Sequence, residues 1–232
     1  MTDDQPMSLQ FSFAKFANQF DDHIRKSIRA YDDLVADCVS LSEYFIENNT
    51  TALDIGCSTG TFLLKLRENN NERAPAARYV GVEIEEQFCN CWNVTPDVEF
   101  VLSDIRNYAL PRRCSYVTSI FSLQFISERE RQDILDRIYK ALLPGGALVL
   151  AEKTLSKCAK LQDLLTFIHF DFKRKNFSDA DILAKERSLR SMMKLWTEEK
   201  IVRSLVRAGF ESSQIQCFWR SHSFAAFLAL RT

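Results

Sequence analysis

Beyond residue 50 the chain alternates short apolar runs with longer stretches whose apolar positions recur every three or four residues. Residues 51–56 are a short apolar run ending at a glycine, the signature of a strand buried on both faces, and residues 61–67 restart a helical period directly after it. Further strands are predicted at 79–83, 98–102 and 116–121. A helix over 128–142 follows, with Ile134, Leu135, Ile138 and Leu142 along one face. Pro144-Gly145-Gly146 is expected to end that helix, with a fifth strand at 147–151. Upstream, residues 11–31 read as an aromatic-rich helical lead-in in which Phe13, Phe16, Phe20, Ile24 and Ile28 share a face. Phe11 belongs to the same aromatic group. A second helix spans 31–45 and closes at Asn48-Asn49.

Downstream the rhythm breaks. Residues 156–195 are charged, helix-prone and nearly free of Gly and Pro, so they read as a helical insertion covering the carboxyl edge of the sheet. A helix at 197–208 stops at Gly209, and two strand-like runs, 213–219 and 224–230, have the spacing of a terminal antiparallel hairpin. The expected fold class is α/β. It is a single domain over 1–232 with a mostly parallel Rossmann-like sheet, N-terminal helices (1–50), a core (51–155), the insertion (156–195) and a C-terminal helix and strands (196–232).

Composition narrows the function classes. Thirty basic residues against thirty-one acidic leave a net charge of -1, which argues against coating nucleic acid or an anionic membrane. No apolar run is long enough to span a bilayer, and the acidic, polar start lacks the pattern of a secretion signal, so a cytoplasmic location is expected. The seven cysteines are odd in number and scattered, and Cys89 and Cys91 are too close for a zinc knuckle; free thiols and no metal site are expected.

The candidate chemistry begins at Leu53-Asp54-Ile55-Gly56-Cys57-Ser58-Thr59-Gly60, between a strand and a helix. Gly56 permits a tight turn that brings backbone N–H groups against a ligand, and Gly60 permits close packing of helix on sheet. A dinucleotide fingerprint needs glycine at position 58, which is Ser. The D-x-G-x-x-x-G pattern is instead that of S-adenosylmethionine (SAM)-dependent transferases, the class I methyltransferase fold. Asp54 then orients the loop or, through water, holds the amino end of a bound amino acid. Glu83, closing the second strand, suits two ribose hydroxyls, and Asp104, closing the third, suits an adenine amine.

Several longer stretches resemble the carboxy-S-adenosylmethionine synthase family. They are Phe121-Ser122-Leu123-Gln124-Phe125, residues 131–139 and 144–153, His169-Phe170-Asp171-Phe172-Lys173-Arg174, Lys185-Glu186-Arg187-Ser188, Arg207-Ala208-Gly209-Phe210-Glu211 and Gln216-Cys217-Phe218. The likeness begins at Ser27-Ile28 and Tyr31, and so includes the insertion. It implies that SAM is converted to carboxy-SAM with prephenate as carboxyl donor and phenylpyruvate as the other product. The nucleophile of that reaction is a sulfonium ylide and no metal takes part. The product serves wobble-uridine modification of transfer RNA. It also implies a homodimer; direct contact with nucleic acid is not expected, because the neutral chain shows no extended basic stripe. The cofactor residues it implies are Tyr31, Gly56, Cys57 and Ser58, Glu83 in place of the usual aspartate, and the pair Asp104-Ile105. Arg187 corresponds to an arginine that reaches from the partner subunit to grip the transferred carboxylate, a task suited to a guanidinium. On residue type alone, Arg187 reads equally as a helix-surface partner of Asp181 or Glu186.

The sequence departs from the family at Ile120, where an asparagine is usual, at Arg29-Ala30 before Tyr31, and at Asn69-Asn70-Asn71. The apolar Ile120 leaves open a conventional SAM-dependent methyltransferase acting on a small molecule. A non-catalytic SAM-binding member fits less well with retention of Glu83 and Asp104. His169 beside Asp171 has the look of a general base but reads by default as a packing histidine, and Lys173-Arg174-Lys175 as a solvated helix end.

Overall fold

The structure is a computed structural model that describes residues 19–232. Phe11, Phe13 and Phe16 lie outside the described residues; the rest of the lead-in forms α1 (Phe20–Ser27). The chain turns at Ala30, which adopts left-handed backbone angles (φ 59°), and α2 (Tyr31–Ser42) follows.

Seven strands form one sheet in the order β3-β2-β1-β4-β5-β7-β6. They are β1 (Thr51–Ile55), β2 (Arg78–Glu83), β3 (Val98–Leu102), β4 (Cys114–Ile120), β5 (Leu142–Lys153), β6 (Ile215–Ser221) and β7 (Phe224–Leu230). The first five run parallel, and β7 is antiparallel to both β5 and β6. All five residues of β1 are buried, as a central parallel strand requires. Alternate side chains feed two cores. Leu53, Ile55, Val117 and Leu148 pack with Ile134 and Leu135 of α4 (Glu128–Ala141) and with Ile201 and Leu205 of α7 (Glu198–Ala208). Ala52, Tyr79, Tyr116 and Val149 pack with Leu34 of α2 and with Leu63 and Leu66 of α3 (Thr61–Asn70) on the opposite face. The two-residue period of each strand is thus matched by helices on both sides.

One boundary differs from the sequence expectation. Helix α4 ends at Ala141, before Pro144-Gly145-Gly146, and β5 already starts at Leu142. Leu142 pairs with Cys114 and the next pair is Ala147 with Tyr116, so residues 143–146 form a bulge opposite Ser115. Positions ahead of a proline favour extended backbone, Pro144 has no N–H for a ladder, and Gly145 takes φ +81°. The Pro-Gly-Gly run therefore bends a strand instead of ending a helix.

The insertion consists of α5 (Ala159–Lys173) and α6 (Asp179–Met192). Its two ends meet: Thr154 bridges Trp196, and the N–H of Leu155 donates to the Trp196 carbonyl at 3.0 Å. Beneath that joint Arg131 is wholly buried. Its guanidinium lies 4.1 Å from the centre of the Trp196 ring, donates to the carbonyls of Lys194 (2.7 Å) and Ile126 (3.1 Å), and stands 3.6 Å from the buried Glu152 carboxylate. Burial pushes the Glu152 carboxyl up and the Arg131 guanidinium down, each opposed by the other's charge.

Candidate active site

The loop between β1 and α3 is set by backbone geometry. Gly56 (φ +76°) lies so close to the chain after β4 that a Cβ there would stand 2.1 Å from Ser122 Oγ. Gly60 (φ +78°) is where α3 meets β3, and its Cβ would stand 2.5 Å from the Phe100 ring. Only glycine satisfies both conditions at these positions. Glu83 fixes the same loop: one carboxylate oxygen accepts from the Ser58 N–H (2.9 Å), the other from the N–H groups of Ile84 (2.8 Å) and Glu85 (2.9 Å). From the far side, the Trp92 indole donates to the Ser58 carbonyl at 2.9 Å.

The three carboxylates differ in electrostatic state. Asp54 is 3% exposed and accepts from the Thr118 hydroxyl at 2.7 Å; burial pushes its pKa up to about 7, the Thr118 bond opposes this, and Glu83 adds to it. Burial also raises Glu83, against the pull of its three N–H donors. Asp104 moves the other way. Its pairing with the Arg106 guanidinium, 2.8 Å from Nε, holds it below the usual carboxylate range.

A cavity of about 400 Å³ opens at the carboxyl ends of these strands. Asp54, Gly56, Cys57 and Ser58 line it, with Glu83, Asp104 and Ile105 at the ends of the next two strands. Tyr31 and Ile120 line it too, so the position that departs from the family faces the cavity with an apolar side chain. Gly60 does not line the cavity and contributes through packing. Arg187 is outside it, exposed on α6 and without an ion pair among the described residues. Neither surface partner considered for it is engaged with it: Glu186 pairs with Lys153 at 3.2 Å, and Asp181 accepts from Ser178 at 2.5 Å.

The insertion and α1 complete the walls with residues that sequence reasoning did not place at the site. Asp21 on α1 accepts from the hydroxyls of Thr59 (2.9 Å) and Thr61 (2.7 Å), tying the lead-in helix to the glycine loop, while Phe20 meets Phe88 edge-on at 5.2 Å. His169 is buried, lines the cavity and does not pair with Asp171, which binds Arg174 instead. Lys173, expected at a solvated helix end, is 5% exposed and lines the cavity together with Lys153 and Lys185. The available signal was the four-residue spacing of His169 and Lys173, which puts them on one face of α5, with Asp171 and Arg174 turned away. All seven cysteines are free, and among the described residues no group of three or more His, Cys, Asp or Glu side chains is placed to hold a metal ion. No helix of the described residues is long and apolar enough to cross a membrane.

Comparison with known proteins adds three findings. A methyltransferase-domain family profile matches residues 52–146. The carboxy-S-adenosyl-L-methionine synthase of Salmonella paratyphi C (strain RKS4594) is 36% identical over 227 residues, covering 94% of this chain and 89% of that protein, insertion included. Solved structures share the fold at low identity. Human N-acetylserotonin methyltransferase in complex with SAM matches with a TM-score of 0.60 at 16% identity, over 98% of this chain and 60% of that one. A SAM-dependent methyltransferase from Aquifex aeolicus matches with a TM-score of 0.60 at 14% identity, over 96% of this chain and 100% of that one. The architecture is the Rossmann-like class I methyltransferase fold.

Proposed function

Because the chain belongs to the carboxy-S-adenosyl-L-methionine synthase family, we propose that it binds SAM in this cavity and carboxylates it with prephenate, yielding carboxy-SAM, phenylpyruvate and water. The observation that carries the reading is that Asp54, Glu83 and Asp104, from three successive strand ends, converge on one cavity with the family's insertion as its opposite wall. The residues fit the adenosyl group. Each Glu83 oxygen holds backbone N–H groups and keeps acceptor capacity toward the cavity for ribose hydroxyls, and ionised Asp104 accepts from the adenine amine beside the apolar Ile105. Residues 56–58 present backbone to the amino-acid end, with Asp54 beneath them and Tyr31 beside them. When bound, SAM supplies an acidified methyl group on a sulfonium; the protein's part is to hold it, orient it and keep water away.

The same reading makes the active species a homodimer. Helix α5 exposes Leu161, Leu164, Phe167 and Ile168 as one stripe, and α6 adds the exposed Leu183. A second copy covering this stripe brings Arg187, exposed on the outside of its own subunit and without an ion pair among the described residues, within reach of a neighbour's cavity, where it clamps the transferred carboxylate. The enzyme works in the cytoplasm, and its product serves wobble-uridine modification of transfer RNA made by another protein.

The first test is mass spectrometry of the small molecule that co-purifies with the protein. A mass of SAM plus a carboxyl group, followed by phenylpyruvate release from prephenate, is the expected result. Plain SAM or its demethylated product, with no turnover of prephenate, would favour a small-molecule methyltransferase, the reading to which the apolar Ile120 wall lends itself.

A further inference from the structure

The glycine loop carries a left-handed residue that is not glycine. Positions 56, 58 and 60 all take positive φ, at 76°, 46° and 78°, and the middle one is Ser58. A Cβ crowds the backbone in that region, so a serine stays there only where its surroundings hold it. Ser58 is held at both ends. Its N–H donates to a Glu83 carboxylate oxygen at 2.9 Å, and its carbonyl accepts from the Trp92 indole at 2.9 Å. Ser58 and Glu83 line the cavity, whereas Trp92 does not.

Trp92 is itself braced. It follows the short helical turn Glu86–Cys91, and its ring stacks on Phe100 of β3 with centroids 5.2 Å apart and planes 12° apart. Phe100 fills the space that a Cβ at Gly60 would need, and Trp92 Cδ1 would stand 3.5 Å from that Cβ. Indole, Phe100 and Gly60 therefore form one packed unit beneath the loop. An indole nitrogen is a donor only, and a ring fixed by stacking aims its N–H at one point. Without that bond the Ser58 carbonyl end is released, and relaxation of φ away from the left-handed region turns the peptide that follows. Glu83 would still hold the N–H end beside the ribose position.

We propose that Trp92 is a positioning residue: through the Ser58 carbonyl it keeps the loop in the conformation that offers the backbone of residues 56–58 to the amino-acid end of SAM. The role deepens the function proposed above and rests on that reading for the ligand. Because the indole touches the loop and not the cavity, it governs the grip on the amino-acid end and leaves the adenosyl half to Glu83 and Asp104.

The test is calorimetric titration with SAM and with 5′-methylthioadenosine, which keeps the adenosyl group and lacks the amino-acid end. It compares the natural chain with Trp92→Phe, which keeps a ring against Phe100 and loses the N–H, and with Trp92→Phe combined with Ser58→Gly. Trp92→Phe loses about fivefold in SAM affinity, the usual effect of one neutral hydrogen bond, and stays within about twofold for methylthioadenosine. Ser58→Gly, which takes left-handed angles without strain, brings SAM affinity back to within about twofold of the natural chain. Equal loss for both ligands, unchanged SAM affinity, or no recovery with glycine overturns the role. Hydrogen exchange of the Trp92 indole N–H in the natural chain serves if Trp92→Phe does not fold. Coupling is reciprocal, so SAM slows that exchange about fivefold and methylthioadenosine does not; equal slowing by both overturns the role. The split between the two ligands without turnover of prephenate upholds the role and removes carboxylation. Prephenate turnover with both ligands weakened alike upholds carboxylation and removes the role.

Discussion

Single side chains at the strand ends carry more than one duty. Asp54, with an ordinary pKa of 3.8 and a folded value of about 7, keeps its proton over a range where the unfolded chain has lost it. The folded state therefore binds more protons between those values. Stability falls as pH rises through that window and levels off above about 7. Asp54→Asn, which still accepts from Thr118, should flatten the urea-unfolding free energy between pH 4 and 7 by roughly 1–4 kcal/mol; an unchanged slope would clear Asp54. Glu152, also raised by burial, keeps a residual slope of the same sign. Glu83→Gln replaces the oxygen facing the Ser58 N–H with a second donor. SAM binding should weaken by roughly 1–3 kcal/mol in equilibrium dialysis. The carboxylates were readable in the sequence because each stands at or just past the end of an apolar strand. Lys173 was not, since a lysine in a charged run looks solvated until the helix face that receives it is known.

At the scale of elements, strands and helices were read well wherever apolar period and breaker residues agreed, as at 51–67 and 197–209. Reading failed at the Pro-Gly-Gly bulge, because the same residues end helices and bend strands, and only the partner strand decides between the two. The register of β4 against β5 is not written in either run alone. Contacts between distant elements are also invisible in sequence, and the Arg131–Glu152 pair under the insertion is the costliest of these to disturb. Arg131→Met should destabilise the protein by about 3–5 kcal/mol in urea, because it leaves Glu152 buried beside no cation; adding Glu152→Met should recover most of that loss. A single variant as stable as the natural chain would show that Glu152 is neutral in the fold.

For the whole molecule, the fold class and the insertion over the carboxyl edge were legible, whereas the way α1 closes over the glycine loop was not, since it depends on Asp21 meeting Thr59 and Thr61 across the chain. Phe167→Glu, in the exposed stripe, should convert a dimer to a monomer in sedimentation velocity; a natural chain sedimenting as a monomer would remove that interface. In the dimer, Arg187→Ala should retain SAM affinity but lose retention of carboxy-SAM, and equal loss of both would remove Arg187 from carboxylate recognition. The Thr154–Trp196 joint has an implication for ancestry. Some forty residues leave the end of β5 and return beside it through two neighbouring backbones before α7 begins, so the excursion resembles a graft at a single point. A lineage can lengthen, trim or replace it without re-registering a strand, keeping one way of holding an adenosyl group while exchanging what is offered to it.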